Sequence, residues 1–137
     1  MNAAEAVVLT AKNGAYRLTM WSPGRTLPGG TRWNVVTSPN PLPTTKGNNF
    51  LTGVTVVSPS DVWAVGGTLD FTLGGLEQTL TLNWDGAGWQ VVNSPDRGAG
   101  SNLLLATDSP GGGVVFAAGT FSQNFVNRTL AMQTTAG

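Results

Sequence analysis

Apolar and polar residues alternate in a series of short runs along this chain of 137 residues. The runs are rich in Val, Leu, Thr and Trp, and clusters of Gly, Pro, Ser, Asn and Asp separate them. Alternation with a period of two is typical of β-strands that bury one face, and the separating residues are those that turns use. The pattern therefore predicts an all-β fold of many short antiparallel strands.

The runs belong to a unit that returns along the chain. Residues 31–39 (TRWNVVTSP) return at 88–95 as GWQVVNSP. Residues 62–66 (VWAVG) return at 115–119 as VFAAG, with an offset of 53 positions. Self-similarity with a period of this size indicates a repeat architecture, in which each unit is one supersecondary structure.

The central copy of the unit, residues 48–95, predicts four strands joined in a meander. The copies before and after it, residues 1–40 and 100–135, are incomplete, because the first lacks its first strand and the last lacks its fourth. We therefore expect a single β-repeat domain over residues 1–137, with about ten strands. The predicted strands are residues 7–11, 16–21 and 32–37 in the first copy, 51–57, 62–68, 79–84 and 89–93 in the second, and 103–106, 114–120 and 128–134 in the third.

The central copy also carries a recognisable set of short motifs. They are Gly53-Val54, residues 58–66 (SPSDVWAVG), Thr79-Leu80, residues 84–86 (WDG) and residues 89–95 (WQVVNSP). This set resembles the Trp-rich, kelch-like repeats of bacterial β-propellers, and the resemblance implies antiparallel four-stranded meander blades. A closed propeller typically needs about four to eight blades. The roughly two and a half blades of this chain therefore imply an incomplete ring.

An incomplete blade leaves an unpaired strand edge, and such an edge readily pairs with another chain. Three alternatives follow for this chain. One blade has only three strands, or the chain belongs to a longer repeat array, or several chains add strands to one another in an oligomer or a filament. Each alternative makes the ends of the repeat array the place to look for partners.

Charge and composition exclude several classes of function. Charged residues make up 10% of the chain, and seven Lys and Arg balance seven Asp and Glu. The basic residues form no stripe that could follow phosphates, so we expect no nucleic-acid partner. No apolar run approaches the roughly 20 residues of a membrane span, so none is expected. The chain has no Cys, which excludes a disulfide scaffold and Cys-ligated zinc.

The inventory of catalytic side chains is small. The chain has neither His nor Cys, so the common nucleophile–base pairs cannot form, and we predict neither an enzyme nor a cofactor. Asp70 and Glu77 flank the loop 71–75 and are the candidate acid–base or cation-binding pair. The simpler interpretation is that Asp70 and Glu77 are two solvated charges of the loop with no shared function. Asp61 is expected to accept hydrogen bonds from turn amides.

The five Trp residues suggest a carbohydrate-stacking surface, but four of them recur at positions expected in the core between units. These four are Trp33, Trp63, Trp84 and Trp89. Trp21, which precedes the irregular loop 22–30, is therefore the aromatic candidate for ligand binding. Asn127 begins the sequon Asn-Arg-Thr and is a candidate glycosylation site if the chain is secreted.

These observations favour a non-enzymatic structural or interaction module at the cell surface or outside the cell. We expect it to self-associate, or to complete a larger propeller, through its open blade edges. One alternative is a carbohydrate-binding, lectin-like propeller. A second alternative is a fragment of a propeller glycosidase or lyase, because propellers host enzymes, lectins and scaffolds alike.

Overall fold

The computed structural model describes residues 34–134 in full, and the backbone of residues 6–12 and 15–21. In the latter, β1 (Ala6–Lys12) and β2 (Ala15–Trp21) form an antiparallel hairpin. The strand predicted at 32–37 lies partly outside the described residues, and within them Val36 forms only an isolated β-bridge. The fold is therefore best defined in the second and third copies of the unit.

The rest of the described chain forms a four-stranded and a three-stranded antiparallel sheet. Both are meanders, since the strand order follows the sequence. The strands are β3 (Gly47–Ser58), β4 (Asp61–Asp70), β5 (Leu76–Trp84) and β6 (Trp89–Val92) in the first sheet, and β7 (Asn102–Gly111), β8 (Val114–Gln123) and β9 (Val126–Gln133) in the second. The one helical segment among the described residues is the 3-10 turn Phe71–Leu73. The prediction of an all-β fold is confirmed.

A buried asparagine holds the chain in place near the start of each sheet. Asn49 is 6% exposed, and its side chain accepts from the N–H of Leu42 at 2.9 Å and donates to the Leu42 carbonyl at 2.6 Å. Asn102 is 1% exposed, accepts from the N–H of Arg97 at 2.7 Å and donates to the carbonyl of Gly100 at 2.8 Å. Because a buried amide must satisfy its polar atoms, each asparagine fixes the loop that enters its sheet.

The four-stranded sheet has a different core on each face, because neighbouring side chains of a strand project to opposite sides. We call the side of Val62 and Ala64 the leading face and the side of Trp63 and Val65 the trailing face. The core of the leading face consists of Leu51, Val62, Ala64, Leu80, Leu82 and Trp89. Val36 packs against this core, so a segment that precedes β3 covers part of the leading face.

The trailing face of the four-stranded sheet packs against the three-stranded sheet. Val65 is 1% exposed and lies in a shared core, whose other members are Leu104, Ala117, Phe121 and Leu130. The sheets approach most closely along β3 and β7. The hydroxyl of Thr52 donates to the carbonyl of Leu104 at 2.7 Å, and a Cβ on Gly53 would lie 3.2 Å from the Cα of Ala106. The two sheets are therefore joined through their first strands.

The two sheets share an irregularity at corresponding positions. β3 shifts its register against β4 between Leu51 and Gly53, and β7 shifts against β8 between Leu104 and Ala106. Such a β-bulge bends a strand and increases its local twist. Since both bulges occur at the same place in the sequence pattern, positions in one sheet can be matched to positions in the other.

Candidate functional site

Asp70 caps the 3-10 turn that follows β4. The N–H and the hydroxyl of Thr72 donate to its Oδ1 at 2.7 and 2.6 Å, and Asp70 is only 8% exposed. The hydroxyl hydrogen bond from Thr72 is the main reason that the pKa of Asp70 lies below its ordinary value. The carboxylate is thus ionised near neutral pH and is bonded within its own turn.

The structure does not bring Asp70 and Glu77 together. In the β4–β5 register, Asp70 is paired with Leu76 and Glu77 with Leu69. Neighbouring positions of a strand alternate between faces, so the two carboxylates project from opposite sides of the sheet. Among the residues that the structure describes, no three His, Cys, Asp or Glu side chains form a group that could hold a metal ion.

The other sequence-predicted site residues have separate positions. Trp21 ends β2, but its side chain and the loop 22–30 lie outside the described residues. Asn127 is exposed near the start of β9, opposite Ser122, where the acceptor amide of a sequon is accessible. The glycosylation of Asn127 stays a prediction.

Three of the four tryptophans that were predicted to be structural are described, and they differ in burial. Trp89 is 7% exposed in the core of the leading face, and its ring centroid lies 5.9 Å from that of the half-buried Trp84. Within the described part of the chain, Nε1 of Trp89 is buried and has no hydrogen-bond partner. Trp63 is half-buried on the trailing face. Trp33 lies outside the described residues.

The aspartates of the tight turns have structural partners. Asp61 accepts from Nδ2 of Asn83 on the neighbouring strand at 2.8 Å, and this side-chain partner was not predicted. Asp85 organises the β5–β6 turn: the N–H groups of Ala87 and Gly88 both donate to its Oδ1 at 2.9 Å. These hydrogen bonds, that of Ala87 first, lower the pKa of Asp85.

We expect the substitution Asp85→Asn to make the stability of the fold less dependent on pH in acid. A carboxylate with a lowered folded pKa stabilises the fold above its unfolded pKa of about 4, and this contribution is lost as the pH falls through the folded value. Urea unfolding between pH 7 and pH 2 measures the effect. Gln90→Ala is the comparison: it removes the Gln90 amide hydrogen bond to Oδ2 at 2.6 Å, a smaller cause of the lowered pKa, so it should reduce the pH dependence less than Asp85→Asn does. An unchanged acid profile in Asp85→Asn contradicts the prediction.

The three-stranded sheet exposes a face that we call the open face, formed by Leu105, Ala106, Phe116 and Ala118. Leu105 is 49% and Phe116 46% exposed, and both alanines are exposed. By the offset of 53 positions, Phe116 corresponds to Trp63 and Ala118 to Val65. Val65 lies in the shared core of the two sheets, whereas Ala118 faces solvent among the described residues. The open face is thus the counterpart of the covered trailing face.

A groove of about 620 Å³, which we call the intersheet groove, separates the outer strands of the two sheets. One wall is the trailing face of the four-stranded sheet, including Trp63 and Val92. The other wall belongs to the three-stranded sheet, on the side away from the open face, and includes Val115, Ala117 and residues 131–134. Its volume lies in the range of about 300–1,000 Å³ that is typical of ligand sites. The groove is mainly apolar, and Asp61 is its one charged lining residue.

The β9 strand has a free edge next to the intersheet groove. In the part of the chain that the structure describes, β9 pairs with β8 on one side and with no strand on the other. In the four-stranded sheet, the corresponding edge of β5 is covered by β6. Within the described residues, the third copy of the unit therefore contributes three strands to its sheet.

Sequence reasoning located the free edge but missed the groove and the open face. The sequence did contain a signal for the open face. Phe116 and Ala118 stand in the third copy where Trp63 and Val65 stand in the second, so both copies have an apolar pair on the same side of the strand. The groove depends on the separation of two sheets, which a sequence pattern does not specify. Comparison of the chain with protein-family models, with curated proteins and with solved structures found no match.

Proposed function

We propose that this chain is a non-enzymatic structural or interaction module of the β-propeller type, which associates with further copies of itself through the open face. The observation that carries the proposal is the contrast between corresponding positions. Val65 is 1% exposed because the next sheet covers it, whereas Ala118 is exposed. An apolar sheet face of this kind gains free energy when a second sheet removes it from water.

The contact between the two sheets of one chain gives the geometry of the proposed association. There, the leading face of one sheet packs on the trailing face of the other, so the two surfaces are different. An interface of two different surfaces is heterologous: it generates a ring when the rotation closes and a filament when it does not.

The propeller type rests on several agreeing features. The meander order of each sheet, their packing face to face and the matching bulges in β3 and β7 agree with kelch-like blades. We place the module at the cell surface or outside the cell, on the basis of its low charge and its turns rich in Thr, Asn and Gly. Protease treatment of intact cells tests this location.

Substitution of Phe116 tests the association. We expect light scattering across a concentration series to show an oligomer or a filament for the parent chain. Phe116→Glu should weaken association at least about tenfold, because it places a charge in the proposed apolar contact. Phe71→Glu is the matched control, since Phe71 is 59% exposed but lies in the 3-10 turn, away from the open face. A parent chain that is monomeric at every concentration, or an equal effect of both substitutions, overturns the proposal.

Neither alternative function has gained a specific site. The glycosidase or lyase hypothesis depended on Asp70 and Glu77, whose side chains project from opposite faces of the sheet. The lectin hypothesis depended on Trp21, whose side chain lies outside the described residues. Binding of labelled protein to a glycan array, with Trp21→Ala as the comparison, tests the lectin hypothesis.

A further inference from the structure

We infer that the free edge of β9 and the intersheet groove together form an acceptor site for an extended segment of another polypeptide with the pattern Trp-x-Val-Val. The segment adds to β9 as the fourth strand of the three-stranded sheet. Its Trp side chain enters the groove. This site is distinct from the open face that carries the proposed function, so the two can succeed or fail separately.

The four-stranded sheet shows what a fourth strand does in this fold. β6 pairs with β5 so that Trp89 lies opposite Trp84 and Val91 opposite Leu82. Trp89 is 7% exposed and packs in the core of the leading face, beside Leu82. Gln90 projects to the opposite face, because positions alternate along the strand. The first residue of the fourth strand is thus an aromatic anchor.

By their pairing registers, the last residues of β9 correspond to the last residues of β5. Ala64 pairs with Leu82 in the four-stranded sheet, and Ala117 pairs with Met132 in the three-stranded sheet. Continuing this correspondence, Thr134 occupies the position of Trp84. The segment 131–134 is therefore the counterpart of the part of β5 that pairs with β6.

The intersheet groove lies beside that segment and on the correct face. Residues 131–134 line it, together with Val115 and Ala117, which correspond to the leading-face residues Val62 and Ala64. In the four-stranded sheet, this region is filled by the paired rings of Trp84 and Trp89. In the three-stranded sheet, Thr134 stands at the position that corresponds to Trp84. The groove extends over the position that corresponds to Trp89. A strand that pairs with β9 in the register of β6 would direct its first residue into the groove.

The lining of the groove matches such a strand. Trp63 and Val92 provide an apolar wall against which an indole ring can pack edge to face or offset. The main-chain groups of an added strand would bond to the free edge, and alternate side chains would give the specificity, as in other cases of β-strand addition. With Asp61 as the one charge in the lining, the groove disfavours an acidic segment. The Trp-x-Val-Val sequences of this chain, at 33–36 and 89–92, have no acidic residue.

A synthetic peptide tests the site directly. The peptide has the sequence of residues 88–95, GWQVVNSP, with blocked ends and a fluorescent label, and its binding is followed by anisotropy. We expect saturable binding, at least about tenfold weaker for the peptide with Ala in place of Trp, and protection of the amides of residues 131–134 from hydrogen exchange. Trp63→Ala should weaken binding by a similar factor, because it removes one wall of the groove.

Each other result has a defined meaning. Equal binding of the Trp and Ala peptides, no binding at millimolar concentration, or protection at other strands overturns the inference. Binding of oligosaccharides in the groove without binding of the peptide also overturns it and supports a lectin function. The Phe116→Glu chain separates this site from the open face, because we expect it to lose self-association while it still binds the peptide.

Discussion

Replacement of Leu104 by alanine should destabilise the fold by about 2–5 kcal/mol, a large effect for a single truncation. Leu104 is 0% exposed and lies in the core that the two sheets share, where it packs with Val65. The loss of stability combines the transfer free energy of the removed methyl groups with the free-energy cost of the cavity left behind. Typical domains are stable by only about 5–15 kcal/mol, so the variant should unfold at a much lower urea concentration.

The adjacent residue provides the matched control. Leu105 is 49% exposed on the open face, so Leu105→Ala should change the unfolding free energy of the monomer by less than about 1 kcal/mol. Urea unfolding monitored by circular dichroism at low protein concentration compares the two variants. A large loss in both variants would show that Leu105 is covered in solution even at that concentration. A small loss for Leu104→Ala would contradict the shared core.

The local elements of this fold could be predicted because their signals are local. In β4, the short apolar run Val62-Trp63-Ala64-Val65 favours a strand, and the structure distributes these residues over two faces as a strand requires. The turn at Asp85 has the Asp and Gly residues that turns use, and its backbone amides are bonded to the carboxylate. The order of the strands also followed, because neighbours joined by short turns pair with each other.

Other features could not be predicted because they depend on partners that are distant in sequence. β3 begins at Gly47 rather than at residue 51, since buried Asn49 bonds to Leu42 and extends the ordered strand. The spacing of Asp70 and Glu77 placed them at the two ends of one loop, but only the register shows that they project to opposite faces. Pairing register is set by packing and turn geometry together, which a single sequence does not specify.

Of the candidate sites, only the free edge of β9 could be predicted, because a strand edge depends on the number of strands in the sheet. The repeat pattern of residues 100–135 predicted three strands, and within the described residues the outer edge of β9 pairs with no strand. The groove beside this edge could not be predicted from the sequence. It arises because the two sheets are in tight contact along β3 and β7 while their outer strands are separated. Trp63 illustrates the difference: its repeat position predicted core, and it instead forms a half-buried wall of the groove.

Replacement of Gly119 by alanine is the second change with a large expected effect. A Cβ at this position would lie 1.9 Å from the carbonyl oxygen of Leu103 and 2.8 Å from the Cα of Leu104. Both are backbone atoms of the paired strand β7, so rotation of a side chain cannot relieve the overlap. The strands must separate locally, and we expect a loss of about 1–3 kcal/mol or more. The corresponding Gly66, whose Cβ would lie 2.1 Å from the carbonyl oxygen of Phe50, should behave in the same way.

Gly88→Ala is the control for this close approach, because a Cβ on Gly88 would meet no atom within 4 Å. It should be neutral within about 0.5 kcal/mol, or slightly stabilising through the smaller conformational entropy of the unfolded chain. Thermal and urea unfolding of the three variants measure the difference, and amide exchange of β7 and β8 locates it. Gly119→Ala should release amides at the β7–β8 pairing, whereas Gly66→Ala should release those of β3 and β4. If Gly119→Ala were as stable as Gly88→Ala, the backbones of β7 and β8 would have to be farther apart than their pairing implies.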